Sequence, residues 1–248
     1  MNTLVFALLA LAAPAAAVAD PAGVKIFFGH QSVGGNLLDG VKQTGTVSVV
    51  PLSNAPPPPG SFVLAEALVG QNEDPESKIK DFERLVGENA ASLTAAMFKL
   101  CYIDFNAKTD VPTIFASYTT TLDRLEKTYP KVVFAHVTTP LTVVQSGPKA
   151  WLKSIVGGQR WGYVENQKRA EWNALLKARY AAKAPLFDLA DLEARTEDGT
   201  PVSYEVGSRR FPMLFAGFTD DGGHLNEKAK TKLGRKFAEF VRSLGTGR

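Results

Sequence analysis

Cysteine is almost absent from the chain, and that shapes the first inferences. Cys101 is the only one, so no disulfide can form within the molecule and the fold must hold by its core. It lies in an apolar, strand-like run with nothing nearby to lower its pKa, so a buried, inert thiol is expected. An excess of one charge is also lacking: 28 Lys and Arg face 25 Asp and Glu, a net charge of +3. The basic residues are spread along predicted helices with no aromatic-interleaved patch, which argues against nucleic acid as a partner. Histidine is scarce. His30, His136 and His224 show no close ligand spacing, and Asp188 with Asp191 is a pattern that loops produce freely, so no metal site is expected. No Walker-type glycine loop is present; Gly34-Gly35 is the one place where a phosphate could sit at a helix N-terminus.

No long apolar run occurs after the first twenty residues, so no later segment is expected to span a membrane. Leu4 to Ala13 and the alanine-rich stretch to Ala19 read as a secretory signal peptide over residues 1–19, although no Lys or Arg precedes the apolar part. Cleavage is expected between Ala19 and Asp20. That leaves residues 20–248 as one exported domain, secreted or periplasmic, without stable membrane insertion. At 45% hydrophobic and 21% charged residues, such a chain can bury a core.

Along the mature chain, strand and helix alternate. Val24 to Phe28, Thr46 to Leu52, Ala95 to Phe105, Lys131 to Val137 and Pro185 to Ala190 read as five strands. Helices are expected around Leu37 to Val41, around Ile79 to Leu85, from Ile114 to a stop at Pro130, from Glu165 to Ala182, and onward from a cap at Asn226. Five repeats of this alternation predict a doubly wound parallel sheet with helices on both faces, a three-layer α/β/α fold. Residues 142–163, with Trp151, Trp161 and several glycines, are too long for a plain connection and are expected to form a lid or insertion. In such a sheet the loops after the strands gather at one edge, so distant polar residues can meet there.

Two stretches carry chemistry. In Phe28-Gly-His-Gln-Ser32, a strand stops at a turn and a helix begins. A serine at such a corner either caps the helix or offers a nucleophile beside N–H groups that stabilise negative charge. In Thr219-Asp-Asp-Gly-Gly-His224, Asp221 and His224 lie three apart across two glycines and can turn toward each other. Ser32 as nucleophile, His224 as base and Asp221 as its orienting acid make one set of roles.

A serine turn after the first strand, the α/β alternation and an Asp-x-x-His before the last helix together resemble the SGNH (GDSL-like) hydrolases. The resemblance follows the order of elements over essentially the whole mature chain, and only its two ends are motif-specific. It implies a flavodoxin-like fold and cofactor-free hydrolysis of acyl esters, with Ser32, His224 and Asp221 in the triad positions. It also implies an oxyanion hole. Ser32 and Gly70 would give backbone N–H groups, and Asn72 or Asn106 the side-chain amide. The family's Gly-Asp-Ser reads Gly29-His-Gln-Ser32 here, and its Gly-x-Asn-Asp reads Cys101-Tyr-Ile-Asp104. His30 is then a candidate for the hydrogen bond of the missing aspartate, on the substrate side, or equally for a structural role. Trp151 and Trp161 are candidates to stack on a sugar ring, which would fit an acetylated carbohydrate ester, or to form the core of the insertion. An acyltransferase with the same triad, or a non-catalytic binding protein on the same fold, are the alternatives.

Overall fold

A computed structural model of the chain describes residues 23–145 and 160–246. The expected signal peptide with its cleavage site, Trp151 and most of the 142–163 segment lie outside the described residues. Five parallel strands form the main sheet: β1 (Val24–His30), β2 (Ser48–Pro51), β3 (Phe62–Leu68), β4 (Ala95–Phe98) and β5 (Val133–Phe134), in the order β2-β3-β1-β4-β5. The chain runs on through Ala135 into β6 (His136–Val137), which pairs in parallel with β7 (Leu186–Phe187). Residues 133–137 thus lean on β4 in their first half and on β7 in their second.

The side-chain alternation of β1 sorts the layers. Ile26 and Phe28 face one side, where α1 (Ser32–Thr44) and the last helix, α6 (Glu227–Thr246), bury Leu37, Val41, Leu233 and Phe237. Phe27 faces the other, covered by α2 (Pro75–Asn89), α3 (Val111–Thr128) and α4 (Glu165–Tyr180) through Phe82, Leu122 and Trp172. This is the expected three-layer α/β/α arrangement. A short α5 (Leu189–Glu193) follows β7. On the first face α1 and α6 cross at Gly40 and Gly234, where a Cβ on either residue would run into the backbone of the other helix. That close approach seats α1, and Ser32 with it, against the helix that follows His224.

Several boundaries differ from the sequence reading. β3 was not expected: Phe62-Val-Leu-Ala follows a proline run and lacks clean alternation, because its middle is buried on both faces of a parallel sheet. The apolar run after Ala95 forms a strand only to Phe98, then a 3-10 turn over Tyr102–Asp104. The irregular stretch after residue 194 contains a hairpin, β8 (Ser203–Val206) and β9 (Arg209–Pro212), closed by a turn with Gly207 at φ +60. Asn226 does cap α6: its Oδ1 accepts from Ala229 N at 3.1 Å. Among the described residues, no helix is long and apolar enough to cross a membrane.

Candidate active site

Ser32 is the first residue of α1 and is exposed at the carboxyl edge of the sheet. The first turn of a helix has N–H groups without intrahelical acceptors, so the serine hydroxyl stands beside free donors. The three residues before it hold the corner in place. Gly29 lies tightly between Val69 and Phe98. His30 is buried, with Nε2 at 2.9 Å from Glu66 Oε2 and Nδ1 at 3.0 Å from the Gln31 carbonyl. The Gln31 amide donates to the carbonyls of Val69 and Gly70, both at 2.9 Å. His30, a candidate for the substrate side or for a structural role, faces Glu66 and the Gln31 carbonyl in the fold beneath Ser32.

The Asp221–His224 loop closes as its spacing suggested. His224 Nδ1 lies 2.6 Å from Asp221 Oδ2, while Asp221 Oδ1 accepts from Gly223 N at 2.9 Å and His224 N at 2.8 Å. Gly222 takes φ +93, and Gly223 lies against the Tyr102 ring so closely that a Cβ would not fit. Partial desolvation works against ionisation of Asp221. The N–H groups of Gly223 and His224, and the imidazole, outweigh it and hold the carboxyl well below the usual carboxylate range. An ionised Asp221 fixes the proton on Nδ1 and leaves the lone pair on Nε2, the form a general base requires.

Leu225 N donates to Asn36 Oδ1 at 3.1 Å, one helical turn beyond Ser32. This bond ties the histidine loop to the serine helix. No hydrogen bond joins Ser32 to His224 among the described residues; the polar neighbour at Nε2 is the Tyr102 hydroxyl, at 3.4 Å. Val143 N donates to the Gly222 carbonyl at 2.9 Å, and Trp161, 40% exposed, packs on Gly222 beside the dyad.

The expected oxyanion donors separate. Gly70 N–H is already engaged by Asp81 Oδ2 at 3.0 Å, so it is not offered to a substrate. Asn106 accepts from Lys108 N at 2.8 Å and serves its own turn. Asn72 is exposed, with Oδ1 held by Lys78 Nζ at 3.3 Å. Ser32 stands at the helix start, and the Asn72 and Asn106 bonds engage Oδ1 rather than the amide N–H groups.

Sequence reasoning passed over three residues that shape this edge. Asp104 is buried and accepts from Lys78 Nζ at 2.5 and 2.7 Å, Cys101 N at 2.7 Å and Glu73 N at 3.0 Å, joining the loops after β3 and β4. Arg169, buried in α4, donates to the Tyr102 carbonyl at 2.9 Å, to Thr142 Oγ1 at 2.8 Å and to Asn166 Oδ1 at 2.6 Å. Burial lowers its pKa to about 10. Tyr102 was in view only as part of a departed motif. The buried face of α4 also carries Asn166 and Asn173, so no apolar stripe singled Arg169 out. Among the described residues, no group of three or more His, Cys, Asp and Glu side chains is placed to hold a metal ion.

Comparison with known proteins bears on the fold. No family model matches the sequence, and no curated protein does. Among solved structures, one given as a platelet activating factor from Streptococcus pneumonia is similar over 91% of this chain and 86% of its own, at 11% identity and a TM-score of 0.53. A protein from Desulfitobacterium hafniense DCB-2, described as a lipolytic member of the G-D-S-L family, is similar over 88% of this chain and 99% of its own, at 9% identity and the same TM-score. The chain shares its α/β fold with these structures. Fold likeness at such identity does not carry activity with it.

Proposed function

We propose that the chain is an exported serine ester hydrolase, a divergent member of the SGNH (GDSL-like) group. The observation that carries this reading is the 2.6 Å contact between His224 Nδ1 and Asp221 Oδ2, on a loop bonded to the helix that Ser32 begins. A lipolytic G-D-S-L protein of the same fold supports the reaction class. In the proposed reaction Ser32 Oγ attacks the ester carbonyl while its proton passes to His224 Nε2. Asp221 stabilises the imidazolium, and the backbone N–H of Ser32 helps to hold the oxyanion. His224 then returns the proton to the leaving alcohol, and water releases the acyl group by the same route. No cofactor enters the cycle. Trp161 offers a half-exposed ring beside the dyad for an apolar or sugar portion of the substrate, which fits a carbohydrate ester.

The test is hydrolysis of short- and medium-chain p-nitrophenyl esters by residues 20–248, beside Ser32→Ala and His224→Ala. Each variant is expected to lose at least about 10³-fold in kcat while keeping its circular dichroism spectrum. A serine-directed phosphonate is expected to label the wild type at Ser32. Failure of the wild type to turn over or to be labelled would favour a binding protein on this fold. Appearance of an acylated acceptor in place of free acid would favour an acyltransferase.

A further inference from the structure

The proposed reaction needs donors for the oxyanion beyond the Ser32 N–H. Gly70 N–H is held by Asp81, and Asn106 and Asn72 are fixed through their Oδ1 atoms, by Lys108 N and Lys78 Nζ, with no hydrogen bond to Ser32 or His224 among the described residues. In Cys101-Tyr-Ile-Asp104, the third residue is Ile103, 39% exposed and without a polar side-chain atom. Its neighbour Tyr102 does carry a donor and reaches the dyad: its hydroxyl lies 3.4 Å from His224 Nε2, and the two rings meet edge to face at 5.6 Å.

We propose that the Tyr102 hydroxyl is the side-chain donor to the oxyanion formed at Ser32, leaving His224 Nε2 for the substrate oxygen when the imidazole takes up the serine proton. The inference rests on the Ser32 reading above and adds a catalytic residue to it. The hydrogen bonds are exchanged in order. With the Nδ1 proton directed at Asp221, the resting Nε2 is an acceptor, and the Tyr102 O–H donates to it. When substrate binds, the O–H turns to the carbonyl oxygen, which frees the Nε2 lone pair for the serine proton. The protonated Nε2 then donates to the leaving oxygen while the Tyr102 O–H stays on the oxyanion, and once the alcohol has taken the proton the first arrangement returns. Tyr102 keeps its own proton throughout, and no covalent bond to it forms or breaks.

The ring is held for such a task. Gly223 packs against it, Arg169 binds its carbonyl at 2.9 Å, and the Arg169 guanidinium sits 5.7 Å from the ring centroid. Asp104 closes the turn by accepting from Cys101 N. Burial first, and then the Asp221 charge, raise the Tyr102 pKa, so the group remains an O–H donor wherever His224 works as a base.

Tyr102→Phe removes the hydroxyl and keeps the packing ring. The experiment measures kcat and KM on a short-chain p-nitrophenyl ester, inhibition by an alkylboronic acid, phosphonate labelling and melting temperature, for wild type and Tyr102→Phe. A boronic acid forms a tetrahedral, negatively charged adduct on a nucleophilic serine and so reports the oxyanion site directly. The expected result is a fall in kcat of about 10²-fold, KM within about 2-fold, and a boronate inhibition constant weakened roughly in parallel with kcat. Wild-type kcat in Tyr102→Phe would overturn the proposal, and so would a fall in kcat with boronate affinity unchanged. A wild type that neither turns over nor is labelled at Ser32 would overturn the esterase reading and this one together. A labelled, active wild type beside an indifferent Tyr102→Phe would overturn only this one.

Discussion

Lys78 and Asp104 show how much of the site edge depends on single buried groups. Both side chains are fully buried, and each ion is the other's main partner. Two charges removed from water are tolerable only while paired, so the loss of one partner costs far more than the pair contributes. Lys78→Met leaves the Asp104 carboxylate with only the N–H groups of Cys101 and Glu73, and is expected to destabilise the fold by about 3–5 kcal/mol in urea unfolding. Adding Asp104→Asn removes the stranded charge and keeps an acceptor. The double variant should therefore be more stable than Lys78→Met alone, and a double variant less stable than that would contradict the account. Ser32 does not touch this pair. It depends on it through the loops after β3 and β4 that the pair joins.

At the scale of elements, the crossing of α1 and α6 sets two effects against each other. Replacing a helical glycine by alanine ordinarily stabilises by about 1 kcal/mol, because glycine gives up more backbone freedom on folding. At Gly234 the new Cβ would meet backbone atoms of Gly40 and Val41, which cannot yield unless the helices part. Separating packed helices costs about 1–3 kcal/mol or more, so the steric effect wins. Gly234→Ala is expected to lower the melting temperature and, by moving α1 against α6, to reduce the proposed esterase activity. Gly87 in α2 is the matched control. A Cβ there would meet only the Tyr129 hydroxyl at 3.5 Å, so Gly87→Ala should raise stability by up to about 1 kcal/mol. A gain in stability at both positions would show that propensity, not packing, governs this crossing.

For the molecule as a whole, two buried groups outside the proposed chemistry shape stability against pH. Glu193 is fully buried. Burial raises its pKa from 4.5 to about 8, against the pull of the Leu141 N–H, Lys99 and Arg169. His136 is buried against Tyr118 and Tyr180, and burial lowers its pKa from 6.5 to about 4. Between pH 4.5 and 8 the folded chain keeps a proton on Glu193 that the unfolded chain gives up, so stability falls as pH rises through that window. Between 6.5 and 4 the unfolded chain binds a proton that folded His136 refuses, so stability falls as pH drops. The two oppose each other where they overlap, and a plateau is expected from about pH 4.5 to 6.5. The alkaline flank, from pH 6.5 to 8, should cost about 2 kcal/mol and the short acid flank, from 4.5 to 4, less than about 1 kcal/mol. Urea midpoints against pH should show both flanks, and Glu193→Gln should flatten the one above pH 6.5. An unchanged alkaline flank in that variant would assign it to another group.

What the sequence determined by itself lies within short windows. The apolar strand that stops before Ser32, the Asn226 cap and the Asp-x-x-His loop depend on residues a few positions apart, and local geometry alone nearly specifies their contacts. The alternation of strands and helices was legible for the same reason. β3 and the hairpin after residue 200 were not, since their periodicity is masked by burial on both faces in one case and by turn-forming neighbours in the other. Only the tertiary structure decided what His30, Gln31 and Gly70 do, because their partners Glu66, Val69 and Asp81 come from other elements that the sheet order brings alongside. It alone brought Tyr102 to His224 across 122 positions. No local pattern specifies such a contact; it follows from which loops the parallel sheet collects at one edge and from how closely Gly223 lets the histidine loop settle on the tyrosine ring.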